Sequence, residues 1–557
     1  MLTARPPWQM AAGLFVLCAI AIVSAWAWLG APVVMPPSPM AAGTKLDCVS
    51  YTPYQADSSP FFEGAPPVAP SLIAADVARL APLTKCLRTY SASGHGIGEV
   101  VPQAARQGLT VMQGIWISRD PVANAKEISA AVALAKANPN TVTALIAGNE
   151  VLLRQEQTAE ALVSIIKDVK AQSNLPVTYA DVWEFWIKNP SVTDAVDFIT
   201  IHILPFWEDD PVSAAEAGRH VVLIYDHMAA AFPGKRIIIG EVGWPSTGRM
   251  REAALPSPAN QARVLHDVVA ITRAKGITAN IIEAFDQPWK RQLEGTVGGH
   301  WGLFDANDRT QKFAWGEPIS NHPLWRTQAA GGVALSGLVL GLCAIVAQRR
   351  RTAAVPMTAA DWARIGVVTS VCCFLAGDAL ETLAAGAFGT SGMARTLMLG
   401  LVAVLAPFVS LAIASGASLP SFVQTIGPPG MRARCPLTRT AGFLLIATFL
   451  AATQVALSLT FNPRYWEFPF ASLTGVVIAL AMLRSATPSS TALTEPRFFS
   501  AEKLGSLVLA AAAVFIACNE GPHNWQALWL SAVVSLLAAT LWRLKGAPGP
   551  GVQAPAQ

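Results

Sequence analysis

Val142-Thr143-Ala144-Leu145-Ile146-Ala147-Gly148-Asn149-Glu150 is an apolar run that stops on a glycine, an amide and a carboxylate. Further along, Arg236-Ile237-Ile238-Ile239-Gly240-Glu241-Val242-Gly243-Trp244-Pro245-Ser246 has the same form. Short apolar runs closed by turn residues read as buried strands. Strand-like runs at 46–52, 86–91, 109–117, 142–149, 176–183, 196–204, 236–242 and 278–286 alternate with helical patterns. The helical patterns include 71–81, 122–137, 158–172, 214–231 and 259–275. Eight strand-helix repeats in about 260 residues match the count and size of a (β/α)8 TIM barrel. A doubly wound sheet would need fewer strands or a dinucleotide fingerprint, and none is visible. The fold class expected here is α/β.

Outside this region the composition changes. Of 557 residues, 52% are hydrophobic and only 14% charged, and the mean hydropathy is +0.41. Soluble domains carry about a quarter charged residues, so a plain cytosolic enzyme and a disordered chain are excluded. A net charge of +4 is too small for a phosphate-tracking surface, which excludes a nucleic-acid binder. Yet 40 prolines, 17 tryptophans and 36 acidic residues exceed what a pure helical bundle needs.

Residues 10–29 form an apolar run long enough to cross a bilayer core, preceded by Arg5. Ordinary soluble sequence follows over 31–326. Seven further apolar spans are expected at 329–347, 363–384, 396–416, 440–460, 468–483, 504–519 and 526–542. With the N-terminus cytoplasmic, the inside loops hold Arg349, Arg350, Arg351, Arg364, Arg432, Arg434, Arg439, Arg484, Arg497, Lys503, Arg543 and Lys545. The outside loops hold Arg395 and Arg464. This asymmetry predicts eight spans, both termini inside and the large domain outside.

The domains expected are an anchor over 1–30, a barrel over 31–328, a seven-span all-α membrane domain over 329–543 and a disordered tail over 544–557. Ala25-Trp26-Ala27 also fits a signal-peptide cleavage site, but the length of the run and the interfacial Trp26 and Trp28 favour an uncleaved anchor. Six of the eight cysteines fall in spans or an inside loop. Cys48 and Cys86 lie in the barrel region, as a disulfide or as two buried thiols. No metal-ligand spacing or phosphate loop is visible, so no metal and no cofactor are expected.

Working residues of such barrels sit at the C-terminal ends of strands. Those positions here are aromatic, acidic or hydrogen-bonding: Tyr51, Arg88, Tyr90, Asn149, Glu150, Tyr179, Trp183, His202, Trp207, Glu241, Trp244, Trp289 and Lys290. Flat rings suit pyranose faces, polar groups suit hydroxyls, and two carboxylates suit the glycosidic bond. Retaining cleavage needs two carboxyl groups about 5 to 5.5 Å apart. Glu150 and Glu241, at the ends of strands four and seven, can converge over the barrel axis. Glu283 is a further site carboxylate or a buried partner of Arg88. In the membrane part, Asp378 and Glu381 read as bundle-facing or interfacial acids.

Gly148-Asn149-Glu150 and Gly240-Glu241-Val242-Gly243-Trp244-Pro245-Ser246 resemble the two signatures of glycoside hydrolase family 17, the β-1,3-glucanases and glucan transglycosylases. Leu87-Arg88-Thr89-Tyr90 and Trp301-Gly302-Leu303-Phe304 resemble further motifs of that family, and the resemblance covers residues 46–312. It implies Glu150 as general acid/base, Glu241 as nucleophile and Asn149 as a contact to the sugar 2-hydroxyl. Asp286-Gln287-Pro288-Trp289-Lys290 departs from the Asn-Glu pair and nearby lysine of the plant hydrolases. The whole layout resembles bacterial membrane proteins described as β-glucan synthases or β-1,3-glucan transglycosylases.

The expected function is therefore a membrane-anchored retaining enzyme acting on β-glucan and transferring it to a glucan acceptor outside the inner membrane. Simple hydrolysis is the alternative, with a glucan sensor or transport accessory behind it. The expected partners are a β-glucan chain, membrane lipid and a glucan synthase or export protein. The inside loops are too short for a nucleotide-sugar transferase.

Overall fold

The computed structural model describes residues 6–55, 58–61, 66–353, 355–486 and 500–544. Arg5, Arg497, Lys545 and the tail from 545 lie outside the described residues. The chain forms two compact units, Val33–Ile319 and the described residues on either side of it.

In the first unit eight parallel strands close a barrel in chain order: β1 (Cys48–Ser50), β2 (Cys86–Arg88), β3 (Thr110–Ile115), β4 (Val142–Asn149), β5 (Val177–Val182), β6 (Ile199–His202), β7 (Ile237–Val242) and β8 (Ala279–Ile281). Most strands are shorter than the apolar runs that contain them, because the chain leaves the ladder early to build the mouth. After β8, for example, Glu283 N–H donates to Trp301 and Ala284 N–H to Ser50.

Helices start where the sequence supplies caps. Asp120 accepts from Val122 N–H ahead of Pro121–Ala137, Thr158 from Ala161 ahead of Ala159–Gln172, and Ser257 from Asn260 ahead of Pro258–Lys275. Each helix then lays an apolar stripe on the barrel. Leu162, Ile166 and Val169 are the buried face of Ala159–Gln172, each side chain stabilising by about 1.5–3 kcal/mol. The helical layer after β5 is split into Trp183–Lys188 and Ser191–Ala195 by Asn189 and Pro190, a break too short to register as a helical period. Cys48 and Cys86, first residues of the paired β1 and β2, form a disulfide.

The second unit is helical. Among the described residues, seven helices are long and apolar enough to cross a membrane: Pro7–Leu29, Trp325–Thr352, Ala359–Gly386, Gly389–Ser415, Pro436–Phe461, Ala501–Glu520 and Trp525–Trp542. An eighth apolar helix, Phe470–Ala486, has 17 residues. The 389–415 stretch is interrupted by a 3-10 turn at Ala406–Phe408, where Pro407 has no N–H to donate. Ala25-Trp26-Ala27 lies within the first helix, with Trp26 buried against Phe374 and His322.

Candidate active site

The end of β7 places Glu241 in a cradle made by the ends of two other strands, β2 and β6. Arg88 Nη1 donates to Glu241 Oε1 at 2.5 Å and Tyr90 Oη donates to the same oxygen at 2.8 Å. His202 Nε2 lies 3.6 Å from it. Gly240 makes this approach possible: a Cβ there would sit 2.4 Å from Thr200 Cγ2 and 3.1 Å from the His202 ring. Oε2 has no hydrogen-bond partner among the described residues. Burial alone would raise the Glu241 carboxyl, but His202, Arg88 and Lys290 outweigh it and hold it at about 2. The residue is an anion at neutral pH.

Glu150 sits differently. It follows Gly148, whose φ of +96° is glycine territory, and itself adopts φ +51°, where a non-glycine residue is uncommon. Its N–H donates to Ala180 O at 2.7 Å, and its Oε1 lies 2.9 Å from His202 Nδ1. The carboxyl is half-buried. His202, fully buried on β6, therefore stands between the two glutamates with one ring nitrogen toward each. Ligand atoms of Glu150, His202 and Glu241 all lie within 4.8 Å of one another. Such a group could hold a cation, but the Arg88 guanidinium already supplies the positive charge at Glu241.

Asn149 is drawn into the same network, its Oδ1 accepting from Arg88 Nη2 at 2.5 Å. Lys290 donates to Glu283 Oε2 at 2.9 Å. Glu283 thus pairs with Lys290 and not with Arg88, whose two terminal nitrogens are taken by Glu241, Asn149, Gly240 and Tyr90. Burial pushes the Glu283 carboxyl up to about 7 despite Lys290.

Of the residues expected at the mouth, Arg88, Tyr90, Asn149, Glu150, His202 and Glu241 form one cluster, with Lys290 acting on its charge. Trp183, Trp207 and Trp289 are half-buried: Trp183 Nε1 donates to Glu208, Arg251 stacks over Trp207, and Trp289 meets Tyr54 and Phe61 edge-on. Three others are core residues. Tyr51 is buried with its hydroxyl on Asp76, Trp244 is buried with Nε1 on Leu255 O, and Tyr179 is buried with its hydroxyl on Asp181. In the second unit, Glu381 accepts from Gln328 Nε2 at 2.6 Å and lies 2.9 Å from His322 Nδ1, with Asp378 close by.

Comparison with known proteins falls on the barrel. The family described as BtgE/BtgC glycoside hydrolase domain matches residues 48–302. The barrel is a family 17-like glycoside hydrolase domain. A glucan 1,3-beta-glucosidase of Candida albicans is 28% identical to the chain over 256 residues, 42% of this chain and 82% of the relative. One of Saccharomyces cerevisiae is 28% identical over 251 residues, 40% of this chain and 79% of the relative. A glycoside hydrolase family 17 β-1,3-glucanosyltransferase from Rhizomucor miehei aligns at 28% identity, covering 48% of this chain and 95% of its own, with a TM-score of 0.42.

The glycosidase domain also contains residues that sequence reasoning passed over. Asp181 is fully buried at the end of β5, and burial followed by the nearby Glu150 pushes its carboxyl up to about 7. Glu127 accepts from Ser91, the Ala92 and Ser93 N–H groups and Trp116 N–H, tying together the loops after β2 and β3. Asp286 holds Lys312 at 2.6 Å and the Gly302 N–H at 2.8 Å. The only sequence signal for Asp181 was its place at a strand end.

Proposed function

We propose that the chain is a membrane-anchored retaining enzyme that cleaves β-1,3-glucan and passes the released piece to a glucan acceptor. The observation that carries this reading is the approach of one oxygen of Glu150 and one of Glu241 to within 4.8 Å. That is the short separation of a double-displacement site; an inverting site needs about 6.5–9.5 Å to seat a water.

Glu241 Oε2, the oxygen left without a partner, attacks the anomeric carbon. Glu150 gives its proton to the leaving glycosidic oxygen as that C–O bond breaks. A glucan hydroxyl then attacks the same carbon, returns its proton to Glu150 and releases Glu241. Arg88 and Tyr90 hold Oε1 and so aim Oε2. Arg88 also occupies Asn149 Oδ1, which leaves Nδ2 to donate to the sugar 2-hydroxyl. Trp183, Trp207 and Trp289 are the half-buried rings offered as sugar platforms.

The relatives named as glucan 1,3-beta-glucosidases support the substrate class. The apolar helices and the arginine-rich loops support a multi-pass protein in the inner membrane, its first helix uncleaved, both termini inside and the barrel in the periplasm, in contact with lipid and beside a glucan synthase or export protein. Water in place of the acceptor would make the enzyme a β-1,3-glucanase. The full chain in detergent, incubated with laminari-oligosaccharides of defined length, decides this by mass spectrometry and NMR of products. Products longer than the substrate are expected; only shorter ones would leave hydrolysis. No turnover would sink the reading.

A further inference from the structure

We propose that Tyr179 and Asp181 form a buried clamp that positions Glu150 for proton transfer to the leaving group. The inference rests on the reading of Glu150 as acid/base and adds two residues that touch no substrate. Glu150 opens a turn, residues 150–153, whose first residue is in the left-handed region. A turn of this kind persists only where the surroundings over-determine it.

Three hydrogen bonds from β5 supply that constraint. Ala180 O accepts from Glu150 N–H at 2.7 Å, Tyr179 Oη from Leu152 N–H at 2.9 Å, and Asp181 Oδ2 from Leu153 N–H at 3.4 Å. The Tyr179 hydroxyl donates in turn to Asp181 Oδ2, and Val182 N–H fixes Asp181 Oδ1 at 2.8 Å. The hydroxyl has one proton to give and one N–H to accept, so its direction is set. Gly148 adds the last condition: a Cβ there would lie 2.6 Å from Val151 Cγ2 and 3.5 Å from the Tyr179 ring. The turn is packed directly on that ring. A carboxyl buried this completely is costly in an apolar core, and the clamp accounts for it. The alternative is a core pair that serves stability alone.

Leaving-group chemistry separates the two. A glycosyl donor whose leaving group departs unaided needs no acid, so loss of a positioned acid shows only on substrates with a poor leaving group. The full chain and its Tyr179→Phe, Asp181→Ala, Asp181→Asn, Glu150→Gln and Glu241→Gln variants are compared by kcat/KM. The substrates are laminarihexaose and a 2,4-dinitrophenyl β-laminaribioside.

Tyr179→Phe and Asp181→Ala should lose about 10-fold or more on the glucan and less than about 3-fold on the aryl glycoside. Asp181→Asn, which keeps an acceptor for Tyr179 and Leu153 but turns its amide toward the Val182 N–H, should recover part of the loss. Retained aryl activity also proves that the Tyr179 and Asp181 variants are folded. If Glu150→Gln is selective for the glucan while Tyr179→Phe and Asp181→Ala lose equally on both substrates, or lose nothing, the clamp is wrong. If Glu150→Gln itself shows no selectivity, the acid/base reading fails instead.

Discussion

Two glutamates of the same barrel mouth live in opposite surroundings. Glu241 is buried, with Arg88 and Tyr90 on one oxygen and a carboxyl held at about 2. Glu150 is half-buried, has a single side-chain partner in His202, and rides on a strained turn fixed from below by β5. Chemically identical side chains are thus held in different ways, one by a guanidinium and a phenol on its own oxygen, the other through the backbone of its turn. The difference lies in which strands face them. β7 looks across at the guanidinium on β2, while β4 looks at the acid and phenol on β5. The burial of Glu241, which opposes its charge, is outweighed by neighbouring cations; that of Asp181 is offset mainly by hydrogen bonds.

The largest expected effect tests the anion. Glu241→Gln should abolish turnover on every glycoside, by on the order of 10^4-fold or more in kcat, measured by product release from laminari-oligosaccharides. Activity within about 10-fold of wild type would end the distinction.

Glu150→Gln should cost about 10^2- to 10^4-fold on glucan. Azide, which needs no base, should restore turnover of an activated aryl glycoside and yield a β-glycosyl azide by NMR. A β-glycosyl azide from Glu241→Gln instead would exchange the two roles, whereas an α-glycosyl azide, formed by one inversion, would keep Glu241 as the nucleophile.

Arg88→Met removes the guanidinium paired with Glu241 and leaves the buried carboxylate to Tyr90 and the more distant His202. Breaking a buried pair in this way costs about 3–5 kcal/mol, so a clear fall in the barrel's thermal midpoint is expected, with the stacked Tyr90 ring losing its cation as well. An unchanged midpoint would mean that the pair contributes little.

The smallest effect concerns pH and has opposite signs for the two acids. Glu241 is lowered from 4.5 to about 2. Its contribution is full above the unfolded value and lost as pH falls through about 2. Asp181 is raised from 3.8 to about 7. Its burial is tolerated below the unfolded value and costs stability as pH rises through about 7. From about pH 4 to 7 the thermal midpoint should fall more with rising pH in wild type than in Asp181→Asn, the difference levelling off above about 7. Identical slopes would remove Asp181 from the account.

The barrel and its two carboxylates were legible because both signals are local. Each apolar run closes on a polar residue, and the eight-fold alternation with helices leaves little choice of fold. What failed to show was side-chain direction. Ser50 points inward, where its hydroxyl meets Tyr90 and Asn280, so Tyr51 beside it must point outward, to Asp76 on the surrounding helix. A run of three polar or aromatic residues at a strand end does not reveal that parity. Trp244, two residues past β7, was hidden in the same way. Asp181 was hidden for a different reason: one aspartate at a strand end is common, and only its burial beneath the Glu150 turn makes it notable. The Glu283–Lys290 pair joins residues across a bend after β8 that no periodicity marks.

The central claim is that Glu241 forms a covalent bond to the sugar. The most direct measurement treats the full chain with an activated 2-deoxy-2-fluoro β-laminaribioside, digests it and reads the peptides by mass spectrometry. One glycosyl group on the peptide bearing Glu241, absent from Glu241→Gln, is the expected result. Label on another residue, or an α-anomer as the first product with no label at all, would contradict it.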